Sequence, residues 1–220
     1  TLRSALEAGA DCLVLCDTNG GALTQEISDI VSRVGREVKT ALGIHCHNDA
    51  DMAVANTLAA VLVGVTQVQG TVNGYGERCG NANLLSVIAN LKMKMGVPCV
   101  TDEQLAGLTE ASHYVSEIVN IPPNSQQPYV GVSSFSHKGG LHASAVAKVE
   151  ESYQHISPEM VGNAKHMVIS ELSGRENVRQ RLRELGLEAL VSREQVAALL
   201  DRLKVQESKG FQYEGAAASF

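Results

Sequence analysis

Three short apolar runs recur in the first part of the chain, each followed by a polar loop and then by a stretch of helical periodicity. The runs are residues 11–17 (DCLVLCD), 41–47 (ALGIHCH) and 66–72 (TQVQGTV). The helical stretches cover about 24–38, 51–63 and 82–95, the first with Ile27, Ile30, Val31 and Val34 at helical spacing. A largely apolar run such as 11–17 suits a parallel strand buried on both faces, and strand–helix alternation at this spacing builds βα units on a parallel sheet. Polar, chemically useful residues follow each strand. That arrangement marks the active face of an α/β barrel, or the switch point of a doubly wound sheet. Three strands cannot close a barrel of eight, so the other strands precede Thr1 or the chain is not a barrel.

Beyond residue 96 the pattern changes. Thr101-Asp-Glu-Gln104 is a capping box that predicts a helix to about Val119. Residues 120–140 carry Pro122, Pro123 and Pro128 with several Gly and Ser, and predict an irregular connection. Val161-Gly162-Asn163 predicts a turn. Ser173 and Ser192 are expected to cap two further helices, the last ending near Val205. The chain thus divides into βα units over 1–96, an irregular connection with further helices over 97–205, and a polar tail with a Gly- and Ala-rich end over 206–220 that reads as a linker.

The net charge of −6 argues against general nucleic-acid binding. No apolar run is long enough for a membrane span and no signal segment is recognisable, so the cytoplasm is the expected compartment. Five cysteines without zinc-ribbon spacing point to reduced thiols, with Cys12, Cys16 and Cys46 expected to be buried.

The strongest local signal is Gly43-Ile44-His45-Cys46-His47-Asn48-Asp49. Residues i and i+2 of a strand point the same way, so His45 and His47 share one side. Two imidazoles there either begin a divalent-metal site that needs further ligands, or are satisfied core histidines. Asp49 is read as helix-start chemistry, with a metal or orienting role as the alternative. Asn73 to Asn81 (NGYGERCGN) has three glycines and, in Glu77, Arg78 and Asn81, a charge pair and an amide beside the histidine strand. Thr18 could bond a substrate oxygen, but Asp17, Thr18 or Asn19 equally suits a helix N-cap. His142 follows Gly139-Gly140-Leu141, a place from which a general base could be brought to another site.

Together, His-Cys-His-Asn-Asp, Asn-Gly-Tyr-Gly-Glu-Arg-Cys-Gly-Asn-Ala-Asn and His-Lys-Gly-Gly-Leu-His, in that order, resemble the 2-isopropylmalate, homocitrate and citramalate synthases. Val-Leu-Cys-Asp-Thr-Asn-Gly-Gly, Val-Gln-Gly-Thr-Val-Asn-Gly and Ser-Glu-Leu-Ser-Gly-Arg are most similar to the citramalate synthase branch, as is Asp51, where the family's general pattern often has Gly.

The resemblance implies an α/β fold: the last three βα units of a TIM (β/α)8 barrel, followed by a mostly helical linker subdomain. It implies an acyltransferase that condenses acetyl-CoA with a 2-keto acid, pyruvate before 2-ketoisovalerate, in branched-chain amino-acid biosynthesis. His45 and His47 would be ligands of a divalent metal (Mn, Zn or Mg), with Asn81 at or beside it. Thr18 would contact the keto acid. His142 would be the catalytic histidine and Tyr153 a nearby tyrosine, both reaching a neighbouring subunit's barrel, so a homodimer is expected. The family's Asp-Arg-Glu motif has no match in residues 1–40. Two rivals remain: a lyase of the same superfamily, and a truncated chain without activity.

Overall fold

A computed structural model describes residues 1–136, 154–164, 178–179, 182–183 and 186–211. They fall into two compact units, one of Thr1–Asn124 with Pro128–Val130, the other of Ser125–Gln127 with the residues from Gly131 onward.

The first unit is the α/β layer that the sequence predicts. Helix α1 (Leu2–Glu7) leads to strand β1 (Cys12–Asp17), helix α2 (Thr24–Glu37), strand β2 (Ala41–Cys46), helix α3 (Ala53–Leu62), strand β3 (Gln67–Gln69) and helix α4 (Leu84–Met93). The strands are parallel in the order β1-β2-β3, with Cys16 opposite His45 and Ile44 opposite Val68. Consecutive neighbours of one direction are what part of a (β/α)8 barrel contains.

One sheet face is apolar. Leu13, Leu42, Ile44 and Cys46 pack with Ile27 and Val31 of α2, Ala53 and Ala60 of α3, and Val87 and Leu91 of α4. The opposite face carries Cys12, Val14 and Cys16, then Gly43 and His45, then Gln67 and Gln69, and is more open. The expectation of strands buried on both faces is thus met on one face only. Cys16, expected to be buried, is exposed because it shares the open face with His45, whereas Cys46 faces the helices and is fully buried. Ile30 of α2 is 50% exposed although Ile27 and Val31 are buried.

Two elements are shorter than their sequence signals. The third strand, predicted over 66–72, pairs only through Gln69. Beyond it the Thr71 amide bonds the Ala82 carbonyl, and a 3-10 turn forms over Val72–Gly74. The helix predicted from Thr101 to Val119 is two helices, α5 (Asp102–Ala106) and α6 (Leu108–Ile118), broken at Gly107. Its predicted cap is present: Thr101 Oγ1 accepts the Gln104 amide at 3.1 Å, and Gln104 returns the bond at 2.9 Å.

In the second unit, a 3-10 turn over Pro158–Val161 ends at Gly162 with φ +70°, and Asn163 donates to the Gly131 carbonyl at 3.0 Å. Helix α7 (Arg193–Glu207) starts at Ser192, whose hydroxyl accepts the Gln195 amide, and buries Val196, Leu200 and Leu203 against Val178. The cap expected at Ser173 lies outside the described residues. No helix among the described residues is long and apolar enough to cross a membrane.

Candidate active site

His45 is the penultimate residue of β2 and His47 lies just past its end. Both are half-buried, and their ring centroids stand 5.3 Å apart at an interplanar angle of 70°. The glycine-rich loop after β3 returns to this strand end. The Ala82 amide donates to the Cys46 carbonyl at 3.0 Å and the Asn48 amide to the Gly80 carbonyl at 2.9 Å. His47 and Asn81 therefore face each other as a non-hydrogen-bonded antiparallel pair, the closer of the two pairings. The Asn81 side-chain amide lies 3.0 Å from His45 Nε2. So the structure brings His45, His47 and Asn81 together.

Glycines permit that return. At Gly76 a Cβ would overlap the Asn81 side chain, and at Gly80, with φ +86°, it would overlap the Gly74 carbonyl oxygen. The loop is also held by α6. Asn73, at φ +60°, donates to the Ser112 carbonyl at 2.9 Å and to Ser116 Oγ at 3.0 Å, and accepts from Ser112 Oγ at 2.6 Å. Tyr75 shares a hydrogen bond with Ser116 at 3.0 Å. Both serines are buried, so this seam is polar and satisfied.

The Nδ1 atoms of His45 and His47 are buried with no hydrogen-bond partner. Leaving such an atom unpaired costs about 1–3 kcal/mol, so the structure does not support the reading of two satisfied core histidines. Two imidazoles and an amide form a mixed nitrogen and oxygen donor set of a kind a divalent cation accepts. Among the described residues no three His, Cys, Asp or Glu side chains gather to hold an ion.

Asp49 does not start a helix. Its carboxylate takes Arg78 Nε at 2.7 Å and Nη2 at 2.9 Å. Hydrogen bonds from Arg78 hold the Asp49 carboxyl below its usual range. Asn48 does the helix-start work, its Oδ1 accepting the Ala53 amide at 3.1 Å. Arg78 is thus paired with Asp49, 29 residues away, rather than standing as the local charge pair with Glu77 that the sequence implied. Nor do Asp17, Thr18 or Asn19 cap α2. Asp17 Oδ1 accepts the Gly20 amide and Asn19 Oδ1 the Gly21 amide, while Glu26 bonds the Leu23 amide at the helix start. Thr18 joins the site through its carbonyl, which accepts Arg78 Nη2 at 2.7 Å. His142 and Tyr153 lie outside the described residues. Sequence reasoning missed the Asp49–Arg78 pair and the Asn73 seam. Their residue types, Asx and Arg in a glycine-rich loop, were visible, but their partners were not.

All five cysteines are free. Burial pushes the Cys46 thiol up to about 11. Iodoacetamide at pH 8 is expected to label the exposed Cys16, Cys79 and Cys99 and to modify Cys46 roughly a hundredfold more slowly, because only the thiolate reacts. Peptide mass mapping against time checks this, and equal labelling of Cys46 would contradict the packing described.

The HMGL-like family profile matches residues 1–115, and the homocitrate synthase post-HMGL domain-like profile matches residues 129–210. The chain is 48% identical to the (R)-citramalate synthase of Geobacter sulfurreducens, across 100% of this chain and 42% of that protein. It is 49% identical to the (R)-citramalate synthase of Aquifex aeolicus, across 99% of this chain and 42% of that protein. With the 2-isopropylmalate synthase of Methylococcus capsulatus it shares 37% identity over 94% of this chain and 41% of that protein. The chain thus spans about 42% of the length of the citramalate synthases it matches.

Proposed function

This chain belongs to the HMGL-like family, and from that premise we propose that the native gene product is a citramalate synthase, condensing acetyl-CoA with pyruvate and water to give citramalate and free CoA. The observation that carries the reading is the near-half identity to (R)-citramalate synthases along the whole of this chain. The convergence of His45, His47 and Asn81 at one strand end supports it.

His45, His47 and Asn81 would hold a divalent ion, Mn, Zn or Mg, with oxygens from substrate or water completing its shell. When bound, such an ion supplies Lewis acidity toward the keto carbonyl. The Thr18 hydroxyl would bond the keto acid and fix its orientation. His142 would accept a proton from the acetyl methyl carbon, with Tyr153 beside it. The resulting carbanion equivalent forms a carbon–carbon bond to the keto carbon, whose oxygen takes up a proton. Water then cleaves the thioester, releasing CoA as a thiol and leaving the dicarboxylate. The reading extends to a homodimer in the cytoplasm serving branched-chain amino-acid synthesis. It places the catalytic barrel portion in 1–96 and the linker subdomains in 97–205.

The test is thiol release from acetyl-CoA by the native gene product against a panel of 2-keto acids. Pyruvate is expected to give the highest kcat/KM. Preference for 2-ketoisovalerate would move the assignment to 2-isopropylmalate synthesis, the activity named for the Methylococcus capsulatus relative. Cleavage of an acyl-CoA without keto acid would make it a lyase, and no release with any acid would sink the synthase reading.

A further inference from the structure

We propose that Arg78 and Asp49 are a positioning pair that locks the loops bearing Thr18, His47 and Asn81 into one array. The inference rests on the metal-holding reading of His45, His47 and Asn81.

Three loops meet at this end of the sheet, and Arg78 touches all three. It sits three residues before Asn81, in the glycine-rich loop. Its Nε and Nη2 grip both carboxylate oxygens of Asp49, two residues after His47, at 2.7 and 2.9 Å. Its Nη2 also reaches the Thr18 carbonyl at 2.7 Å. A single exposed ion pair contributes little on its own. A two-point guanidinium–carboxylate contact with a third bond to a carbonyl is different, because the planar fork fixes direction as well as distance.

The backbone around the pair is built to receive it. Gly20, at φ +67°, lies where a Cβ would stand 2.5 Å from Asp49 Oδ2 and 2.8 Å from the Asp49 amide, so only glycine lets the first loop come this near. The Gly20 carbonyl accepts the Ala50 amide at 2.9 Å, and the Asp17 carbonyl accepts the His47 amide at 3.2 Å. Arg78 itself holds φ +56°, a left-handed conformation that a long side chain adopts only when its surroundings enforce it. In the third loop the Gly80 amide bonds the Glu77 carbonyl at 2.8 Å and the Asn81 amide bonds the Gly74 carbonyl at 3.0 Å. Displacement of Arg78 is therefore passed along a short, bonded segment to Asn81. Arg78 and Asp49 touch neither imidazole, and their work is to fix the span between the segment holding His47 and the segment holding Asn81.

Arg78→Gln removes the charge and the fork, and Asp49→Asn removes the acceptor. Arg78→Lys keeps the charge without the two-point geometry. The exchange Asp49→Arg with Arg78→Asp restores an ion pair but not the bond to Thr18. Each is made in the native gene product. Amide hydrogen exchange reads the array directly, with no metal present. Arg78→Gln is expected to raise exchange together in peptides covering 18–22, 47–52 and 73–82 while leaving the peptide of α2 unchanged. Titration with Mn(II), followed by the loss of its free-ion paramagnetic resonance signal, reads the consequence. Affinity should fall roughly tenfold or more in Arg78→Gln and Asp49→Asn, less in Arg78→Lys, and recover in part in the exchange variant, the size expected when groups that orient metal ligands are removed.

Unchanged exchange in the 18–22 and 47–52 peptides would overturn the lock. Raised exchange with unchanged Mn(II) affinity would overturn its positioning role. A wild-type protein that binds no Mn(II) would instead overturn the metal-holding reading, and the exchange data would still decide whether the pair ties the loops.

Discussion

His45→Ala is expected to abolish divalent-metal binding and metal-dependent turnover in the native gene product while leaving the fold in place. His45 projects from β2 onto the open face of the sheet, away from the core that Ile44 and Cys46 build on the other side. Loss of the imidazole therefore removes one of the three proposed metal donors and the hydrogen-bond partner of the Asn81 amide, but no core contact. Lewis-acid stabilisation of a developing alkoxide is worth several kcal/mol, so its loss corresponds to a fall in kcat/KM of roughly a thousandfold or more. Metal content of the purified variant and the far-ultraviolet circular dichroism spectrum separate loss of the ion from loss of the fold. Wild-type metal stoichiometry together with a wild-type rate would remove His45 from the ligand set.

The second large effect is expected at Gly80. Its φ of +86° disfavours any side chain, and a Cβ there would overlap the carbonyl oxygen of Gly74, which also accepts the Asn81 amide. Gly64 provides the control: its φ is +108°, and nothing lies within 4 Å of its Cβ position. Gly64→Ala should thus cost only the conformational penalty, about 1–2 kcal/mol. Gly80→Ala adds a clash with fixed backbone and should cost roughly 3 kcal/mol or more, with a matching loss of Mn(II) affinity as Asn81 is pushed from His45. Thermal unfolding of the two variants under one set of conditions gives the difference directly. Equal melting temperatures would mean that the loop can move aside, and that Gly80 does not hold Asn81 in place.

The parts of this fold that were legible in the sequence are those set by short-range pattern. Alternating apolar runs and helical stretches gave three parallel βα units, because each signal lies within one element. The capping boxes at Thr101 and Ser192 were readable for the same reason: donor and acceptor sit three residues apart. The common side of His45 and His47 followed from strand geometry alone. Local pattern failed where long-range polar partners decide. Asp49 looked like a helix-start residue, yet Arg78 claims its carboxylate and Asn48 takes the helix amide. The third strand stops at Gln69 because the return of Ala82 captures the Thr71 amide. Asn81 is readable from the sequence as an amide beside the histidine strand, but its role at a metal comes only from the resemblance, since nothing in its own neighbourhood announces which atoms it faces. Cys16 was read as buried because apolar neighbours were counted without knowing which sheet face the helices cover.

The polar seam between the glycine-rich loop and α6 bears on the order in which the molecule can mature. Asn73 finds its partners 39 and 43 residues further along the chain. A polypeptide leaving the ribosome N-terminus first exposes the histidine strand and the Asn81 loop well before Ser112 and Ser116 have been synthesised. Until they arrive, Asn73 lacks the bonds to Ser112 and Ser116 that tie the glycine-rich loop to α6. The full set of bonds around the loop that carries Asn81 is thus a late product of synthesis, complete only when α6 has docked.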